Sequence, residues 1–212
     1  MLYAFSFLER LSCAKCKKIS TVLLSVQGMC SVNGHQIKAM LRESVGAGGM
    51  ARILGIAPQM VLKRIQLTAK AIRRPVDKLD QVSLEVDEFW TYINRKENDY
   101  WVAYAIDRRT QSVVDFVVGK RTKATLKELI ERLLHLNPKI IRTDKLTLYE
   151  HLIPKKVHRR GATVINRIER KNLSIRTHLK RLSRRTICFN RSARMLESCL
   201  KIYFWKRQAT TM

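Results

Sequence analysis

The chain is predicted to be an α/β protein, a mixed sheet flanked by helices and preceded by a small helical region. Three observations point there. Between residues 84 and 118, apolar and polar side chains interleave in three consecutive runs, the period-two pattern of strands. Residues 124–136 then switch to helical spacing, with Leu126, Leu129, Ile130, Leu133 and Leu134 recurring along one side. A short apolar run, residues 139–144, follows Pro138 and reads as a buried strand.

Charge divides the chain into three parts. The whole carries a formal net charge of +25 over 212 residues, 46% of them hydrophobic, enough to fill a core. Residues 1–76 hold 12 Lys/Arg against 2 Asp/Glu, residues 77–154 hold 13 of each, and residues 155–212 hold 17 against 2. A balanced, core-forming middle is therefore flanked by two basic stretches, which favours polyanions, nucleic acid first, as partners. No apolar run approaches the ~18 residues of a membrane helix, so no membrane partner is expected. Five cysteines, an odd count, and no secretory signal suggest a reduced, cytoplasmic protein without a disulfide framework.

Taken in order, residues 1–35 form a degenerate zinc-finger-like segment. Cys13 and Cys16 make one CxxC pair, and Cys30 and His35 supply a loosely spaced second half. Tetrahedral Zn²⁺ binding is one reading; free cysteines without metal are the other. Residues 36–76 read as a helix-turn-helix region. Gln36 to Ser44 is amphipathic, with Ile37, Met40 and Leu41 on one side, and Gly46 to Gly49 breaks it. Met50 to Leu54 forms a short helix, Gly55 to Pro58 a turn, and Gln59 to Ile65 a second helix extending towards Arg74, with Val61, Leu62 and Ile65 inward. Gln59, Lys63 and Arg64 are then available to face DNA. The alternative is an ordinary helical hairpin with solvated basic residues. Arg73-Arg74-Pro75 marks a boundary.

Residues 77–205 form the mixed-sheet domain, and 206–212 a tail. Leu84 to Ile93 is the first strand, Asn94 to Asp99 a turn, Tyr100 to Asp107 the second strand, Arg108 to Gln111 a turn, and Ser112 to Val118 the third strand. The helix Ala124 to Leu136 leads to the fourth strand, Lys139 to Asp144. This is the opening order of a ribonuclease H-like fold, in which the crossover returns the fourth strand parallel to the first and beside it. Val164 to Leu182 is a further helix, with Ile168, Leu173, Ile175, Leu179 and Leu182 available for packing.

Three carboxylates stand out in that frame. Asp87 lies in the first strand, Asp144 ends the fourth, and Glu169 follows Asp144 after 24 intervening residues, on a helix. Adjacent parallel strands bring Asp87 and Asp144 together. Cleaving a phosphodiester develops charge on the attacking and leaving oxygens, and two divalent ions ~3.5–4 Å apart can stabilise both. Mg²⁺ prefers oxygen ligands, so two such ions suit three carboxylates: Asp87 bridging, Asp144 on one ion, Glu169 on the other. Asn172 and Arg176 project from roughly the same helix face as Glu169, where a cation could grip the phosphate being cut. Lys180 extends that DNA-facing set. The residues four places either side of Glu169, Ile165 and Leu173, offer it no ordinary helical salt bridge.

The run from Asn166 to Phe189, with Arg167-Ile168-Glu169-Arg170-Lys171-Asn172-Leu173 at its head, resembles the C-terminal signature of the InsA/InsB-type transposases of the smallest bacterial insertion sequences. Val86-Asp87-Glu88-Phe89-Trp90, Tyr104-Ala105-Ile106-Asp107-Arg108, Gly119-Lys120-Arg121-Thr122 and Thr143-Asp144 match in order and spacing. The resemblance is strong over 84–205 and weak over 13–66. It implies a DDE transposase with a ribonuclease H-like catalytic domain, Mg²⁺ dependence, and an N-terminal zinc finger and helix-turn-helix reading the element's terminal inverted repeats. Carried over by position, the catalytic and metal-binding acids are Asp87, Asp144 and Glu169, and Arg176 stands where many such enzymes of bacterial elements carry Lys or Arg. The resemblance further implies a bacterial, DNA-associated homo-oligomer that also engages target DNA. The chain departs from the pattern in having one CxxC pair rather than two, in its apolar start, and in Lys145 to Tyr149 after the second acid, departures that fit a truncated or decayed copy. Two rival functions share the same residues: a non-catalytic helix-turn-helix repressor, and a ribonuclease H-like nuclease.

Overall fold

The computed structural model describes residues 7–12, 19–24, 34–75, 81–161, 165–183 and 188–205. A two-stranded antiparallel hairpin comes first, β1 (Phe7–Ser12) with β2 (Ile19–Leu24). Three helices follow: α1 (Gly34–Arg42), α2 (Ala47–Leu54) and α3 (Pro58–Lys70). The rest is a five-stranded sheet with its helices: β3 (Ser83–Ile93), β4 (Arg95–Asp107), β5 (Val113–Gly119), α4 (Lys123–Leu134), β6 (Ile140–Thr143), α5 (Thr147–Glu150), β7 (His158–Arg160), α6 (Asn166–His178) and α7 (Ala193–Phe204). A 3-10 turn, Lys180–Leu182, follows α6.

The sheet order is β5-β4-β3-β6-β7. β3, β4 and β5 form the antiparallel meander, and β6 lies parallel to β3, as the crossover through α4 requires. β7 extends the sheet parallel to β6. Alternation along β3 sorts its side chains onto two faces. Leu84 and Val86 join Ala103, Ala105 and Ile141 under α4, whose Leu126, Leu129, Ile130 and Leu133 are all buried. Phe89 joins Val102, Tyr104 and Ile106 on the opposite face, beneath α6 and α7. The helices α1–α3 belong to that second core: Ile37, Leu41, Met50, Val61 and Ile65 are buried in the same cluster as Leu196, Leu200 and Ile202 of α7. Apolar packing is thus continuous from the three N-terminal helices to the sheet.

Several boundaries differ from the sequence reading for identifiable reasons. Of the predicted glycine break, only Gly46 is extended; Gly48 and Gly49 lie inside α2. A Cβ on Gly49 would come within 2.9 Å of a Val45 methyl carbon, so that glycine serves close packing rather than a turn. The turn expected at Gly55 to Pro58 is present: Gly55, at φ 64°, caps α2 in the left-handed region, and Pro58 opens α3. The turn predicted at 94–99 contracts to Asn94, at φ 63°, and residues 95–99 continue β4 as an exposed polar arm. The predicted 164–182 helix is shorter, and its end is the separate 3-10 turn. The hairpin β1–β2, α5, β7 and α7 had no predicted counterpart.

The zinc expectation falls largely outside the described residues, which exclude Cys13, Cys16 and Cys30; His35 lies exposed on α1. Among the described residues, no helix is long and apolar enough to cross a membrane.

Candidate active site

The parallel register between β3 and β6 pairs Ser83 with Ile140, Leu84 with Ile141, and Glu85 with Arg142. Continued by two residues, the same register sets Asp144 beside Asp87. The two carboxylates are close enough to interact electrostatically. β6 ends at Thr143, so Asp144 begins the following loop, and its Oδ1 accepts from Leu146 N–H at 3.0 Å to form a tight turn. Thr143 Oγ1 lies 2.8 Å from His158 Nε2 on β7, tying the strand end to its neighbour.

Asp87 is half-buried, and both its oxygens are engaged. Oδ1 accepts from the Glu88 backbone N–H at 2.8 Å, and Oδ2 from the Asn172 side-chain amide at 2.7 Å. Burial raises its carboxyl pKa to about 7, the negative charges of Glu88 and Asp144 add to the rise, and the two hydrogen bonds oppose it. A carboxylate has about four acceptor sites, so two remain open on Asp87. A half-buried carboxylate crowded by other acids, with acceptor sites to spare, suits a hard divalent cation.

Neighbouring side chains hold this pair in place. Glu88 points to the opposite face of the sheet. Arg121 donates to its Oε1 from Nε at 2.9 Å and from Nη2 at 2.7 Å, and the Tyr149 hydroxyl donates to Oε2. Arg121 is itself stacked on Trp101, 4.4 Å from the ring centroid. Tyr149 belongs to α5, which follows Asp144 directly, so Glu88 couples the strand of one acid to the helix after the other. Glu85, 0% exposed, lies two residues before Asp87 on the same face. Its Oε2 accepts from Ile168 N–H at 3.1 Å, in the first turn of α6. The residue at the N-cap position, Ile165, has no side chain able to accept, so the strand supplies the cap that the helix lacks. Arg108 Nε lies 3.3 Å from Glu85 Oε1, an ion pair without hydrogen-bond alignment.

Helix α6 carries the third predicted acid. Glu169 is exposed, one turn before Asn172, which touches Asp87. Among the described residues, no three His, Cys, Asp or Glu side chains converge as a metal site. The geometry therefore joins Asp87 to Asp144 and leaves Glu169 at the rim. Arg176, expected to face the phosphate, instead donates to two backbone carbonyls at 2.9 Å, Leu182 from Nη1 and Trp90 from Nη2, while lying 5.2 Å from the Phe89 ring centroid. It clasps α6 to β3. Asn172, placed by the sequence among the DNA contacts, faces the carboxylate. Lys180 is exposed on the 3-10 turn; Gln59 and Lys63 are exposed and Arg64 half-buried on α3.

Glu85, Glu88, Tyr104 and Tyr149 escaped the sequence reading as site residues. The available signal was the period-two spacing of Glu85 and Asp87, which points both acids into one face. Tyr104 lies directly opposite Asp87 in the hairpin.

Residues 81–209 match the family described as IS1 transposase. The chain belongs to the IS1 transposase family. Among its relatives in that family, the iso-IS1n protein InsB of Shigella dysenteriae is 36% identical over 122 residues, 58% of this chain and 93% of that protein. The IS1 4 protein InsB of Escherichia coli (strain K12) is 36% identical over 148 residues, 70% of this chain and 83% of that protein. A chain of the simian T-cell lymphotropic virus intasome, solved by cryo-EM in complex with PP2A regulatory subunit B56 gamma, is 14% identical with a TM-score of 0.37, covering 82% of this chain and 76% of that chain. A likeness that distant decides nothing about this member of the IS1 transposase family.

Proposed function

We propose that this chain is a DDE transposase that cleaves DNA at the ends of an insertion sequence and joins the freed 3′-hydroxyl to target DNA. The observation that carries the reading is the register of β3 and β6, which sets Asp87 beside Asp144 in a chain of the IS1 transposase family. The strand order, three antiparallel strands followed by two parallel ones, supports a ribonuclease H-like catalytic domain.

Asp87, Asp144 and Glu169 would hold two Mg²⁺ ions, which supply charge stabilisation at the attacking and leaving oxygens. Asp87 contributes its open acceptor sites, and Asp144 lies alongside in a loop turned back on itself. Glu169, exposed one helical turn before Asn172, would complete the set. In a ribonuclease H-like reading, Glu88 with Arg121 and Tyr149 keeps the two strand acids at fixed separation. The pair α2–α3, with its turn at Gly55, would read the terminal inverted repeats through Gln59, Lys63 and Arg64 as a helix-turn-helix. Holding two DNA ends in one complex calls for a homo-oligomer.

The test is cleavage and strand transfer on DNA carrying the element's terminal repeats, with Mg²⁺. Asp87→Ala, Asp144→Ala and Glu169→Ala should each abolish both steps and leave DNA binding intact. Cleavage retained by Asp144→Ala would overturn the assignment. A substrate with a precut 3′ end separates a transposase, which joins it, from a nuclease of the same fold, which does not.

A further inference from the structure

We infer that Asn172 is a positioning residue for the Asp87 carboxylate, held in the required orientation by the buried hydroxyl of Tyr104. The inference rests on the metal-dependent reading proposed above and extends it to residues that touch neither metal nor DNA in that reading.

Three contacts form one chain. Tyr104 is 0% exposed, and its hydroxyl lies 2.9 Å from Asn172 Oδ1 and 3.1 Å from the Ile168 carbonyl oxygen. The hydroxyl proton serves these two acceptors. Asn172 Nδ2 in turn donates to Asp87 Oδ2 at 2.7 Å. A side-chain amide has an acceptor end and a donor end, and the Tyr104 hydroxyl claims the acceptor end. The Asp87 carboxylate selects the donor end, since turned over the amide oxygen would meet a carboxylate oxygen, and the Tyr104 hydroxyl holds the amide in that orientation by its contact with Oδ1.

The consequence for Asp87 is geometric. Glu88 N–H holds one oxygen and Asn172 the other, so the plane of the carboxylate is set from two sides. The lone pairs left for a cation then point in fixed directions. Outer partners of this kind orient metal ligands, and their loss costs roughly 10–100-fold in metal affinity. The same contact reaches the other side of the site: Asn172 lies one helical turn from Glu169, so it fixes the approach of the helix acid to the strand acid. The Tyr104 hydroxyl also meets the carbonyl of Ile168, but Glu85 holds that residue's N–H independently, so this turn of α6 stays in place without the hydroxyl.

A purely structural staple and a positioning residue differ in what they move. The experiment titrates full-length protein with Mn²⁺, followed by electron paramagnetic resonance, alongside melting curves in chelator. The proteins are wild type, Asn172→Ala, Tyr104→Phe and the double variant. Expected are melting curves showing cooperatively folded variants, and Mn²⁺ dissociation constants raised about tenfold or more by each single change. The double variant should bind Mn²⁺ no more weakly than Asn172→Ala alone, because Tyr104 acts through Asn172. Tyr104→Phe removes one oxygen and keeps the test open should Asn172→Ala fold poorly. Single variants that bind Mn²⁺ like wild type overturn the inference, as does a further loss from Tyr104→Phe in the Asn172→Ala background. Absence of Mn²⁺ binding by the wild type itself would instead strike at the metal-dependent reading.

Discussion

Without divalent ions, Asp87 ionises against its own burial and against the charges of Glu88 and Asp144, which together put its pKa near 7. Because that value lies above the ordinary carboxyl value of 3.8, the contribution of this group to stability is full below pH 4 and is lost as pH rises towards 7. Asp87→Asn removes the cost of ionisation. In chelator the variant should melt above wild type at pH 8, with the difference closing by pH 4; equal differences at both pH values would contradict the assignment. A cation must compete with the proton for the same oxygens, so Mg²⁺ should raise the wild-type melting temperature at pH 8 and progressively less below pH 7, while leaving Asp87→Asn unmoved. Asp87 and Asp144 were legible in the sequence because strand periodicity and one crossover rule suffice to bring them together. Glu88, Tyr104 and Asn172 were not legible as a set. Their roles depend on which partner meets each side chain across the sheet, and no local pattern carries that.

Besides the Tyr104 and Asn172 contacts, a polar device ties each end of helix α6 to the sheet. At its start, Glu85 accepts from Ile168 N–H; at its end, Arg176 binds the carbonyls of Trp90 and Leu182. Glu85→Ala takes a charged acceptor from the Ile168 N–H, which keeps only its bond to the Ile165 carbonyl, and the expected loss is about 1.5–3 kcal/mol in urea unfolding. Hydrogen exchange at Ile168 should quicken in the same variant, and an unchanged rate there would show that the helix does not depend on this cap. Arg176→Lys should lower stability, since an ammonium cannot span both carbonyls, yet leave the salt dependence of DNA binding as it was. Lys63→Ala, by contrast, should reduce the log–log salt slope by about 0.9 if that residue neutralises a phosphate. A flattened slope for Arg176→Lys would restore it to the DNA surface. At this scale the meander, α4 and the two helices around Gly55 were readable from periodicity and turn residues. α7 carries the same signal, with Arg194, Glu197 and Lys201 at helical spacing on one face and Met195, Leu196, Cys199, Leu200, Ile202 and Tyr203 buried on the other, yet the sequence reading left it out. β7 is absent from the sequence reading because its three residues, His158–Arg160, contain no apolar side chain and so show no strand periodicity.

Across the whole molecule, one cluster of buried side chains runs from Ile37 on α1 through α3 and α7 to Tyr104 in the sheet. Shared packing of this extent predicts cooperative loss of structure: α1–α3 and the sheet should unfold in one transition, seen alike by tryptophan fluorescence and far-ultraviolet circular dichroism. Removing residues 1–76 uncovers the α7 surface that α3 covers, so the remaining fragment should bind a hydrophobic dye and melt without a sharp transition. Two separated transitions in the full chain, or a well-folded fragment, would show that the two parts are independent. The balanced charge of residues 77–154 marked the sheet in the sequence, but composition does not reveal that the basic helices before it complete the same core. That union bears on how the enzyme measures DNA. If α3 reads the end of the element while Asp87 and Asp144 cut it, the number of base pairs between the sequence read and the bond broken is set by the width of a packed interior. The protein would then act as a rigid ruler, and inserting or deleting base pairs in that interval should abolish cleavage rather than shift it.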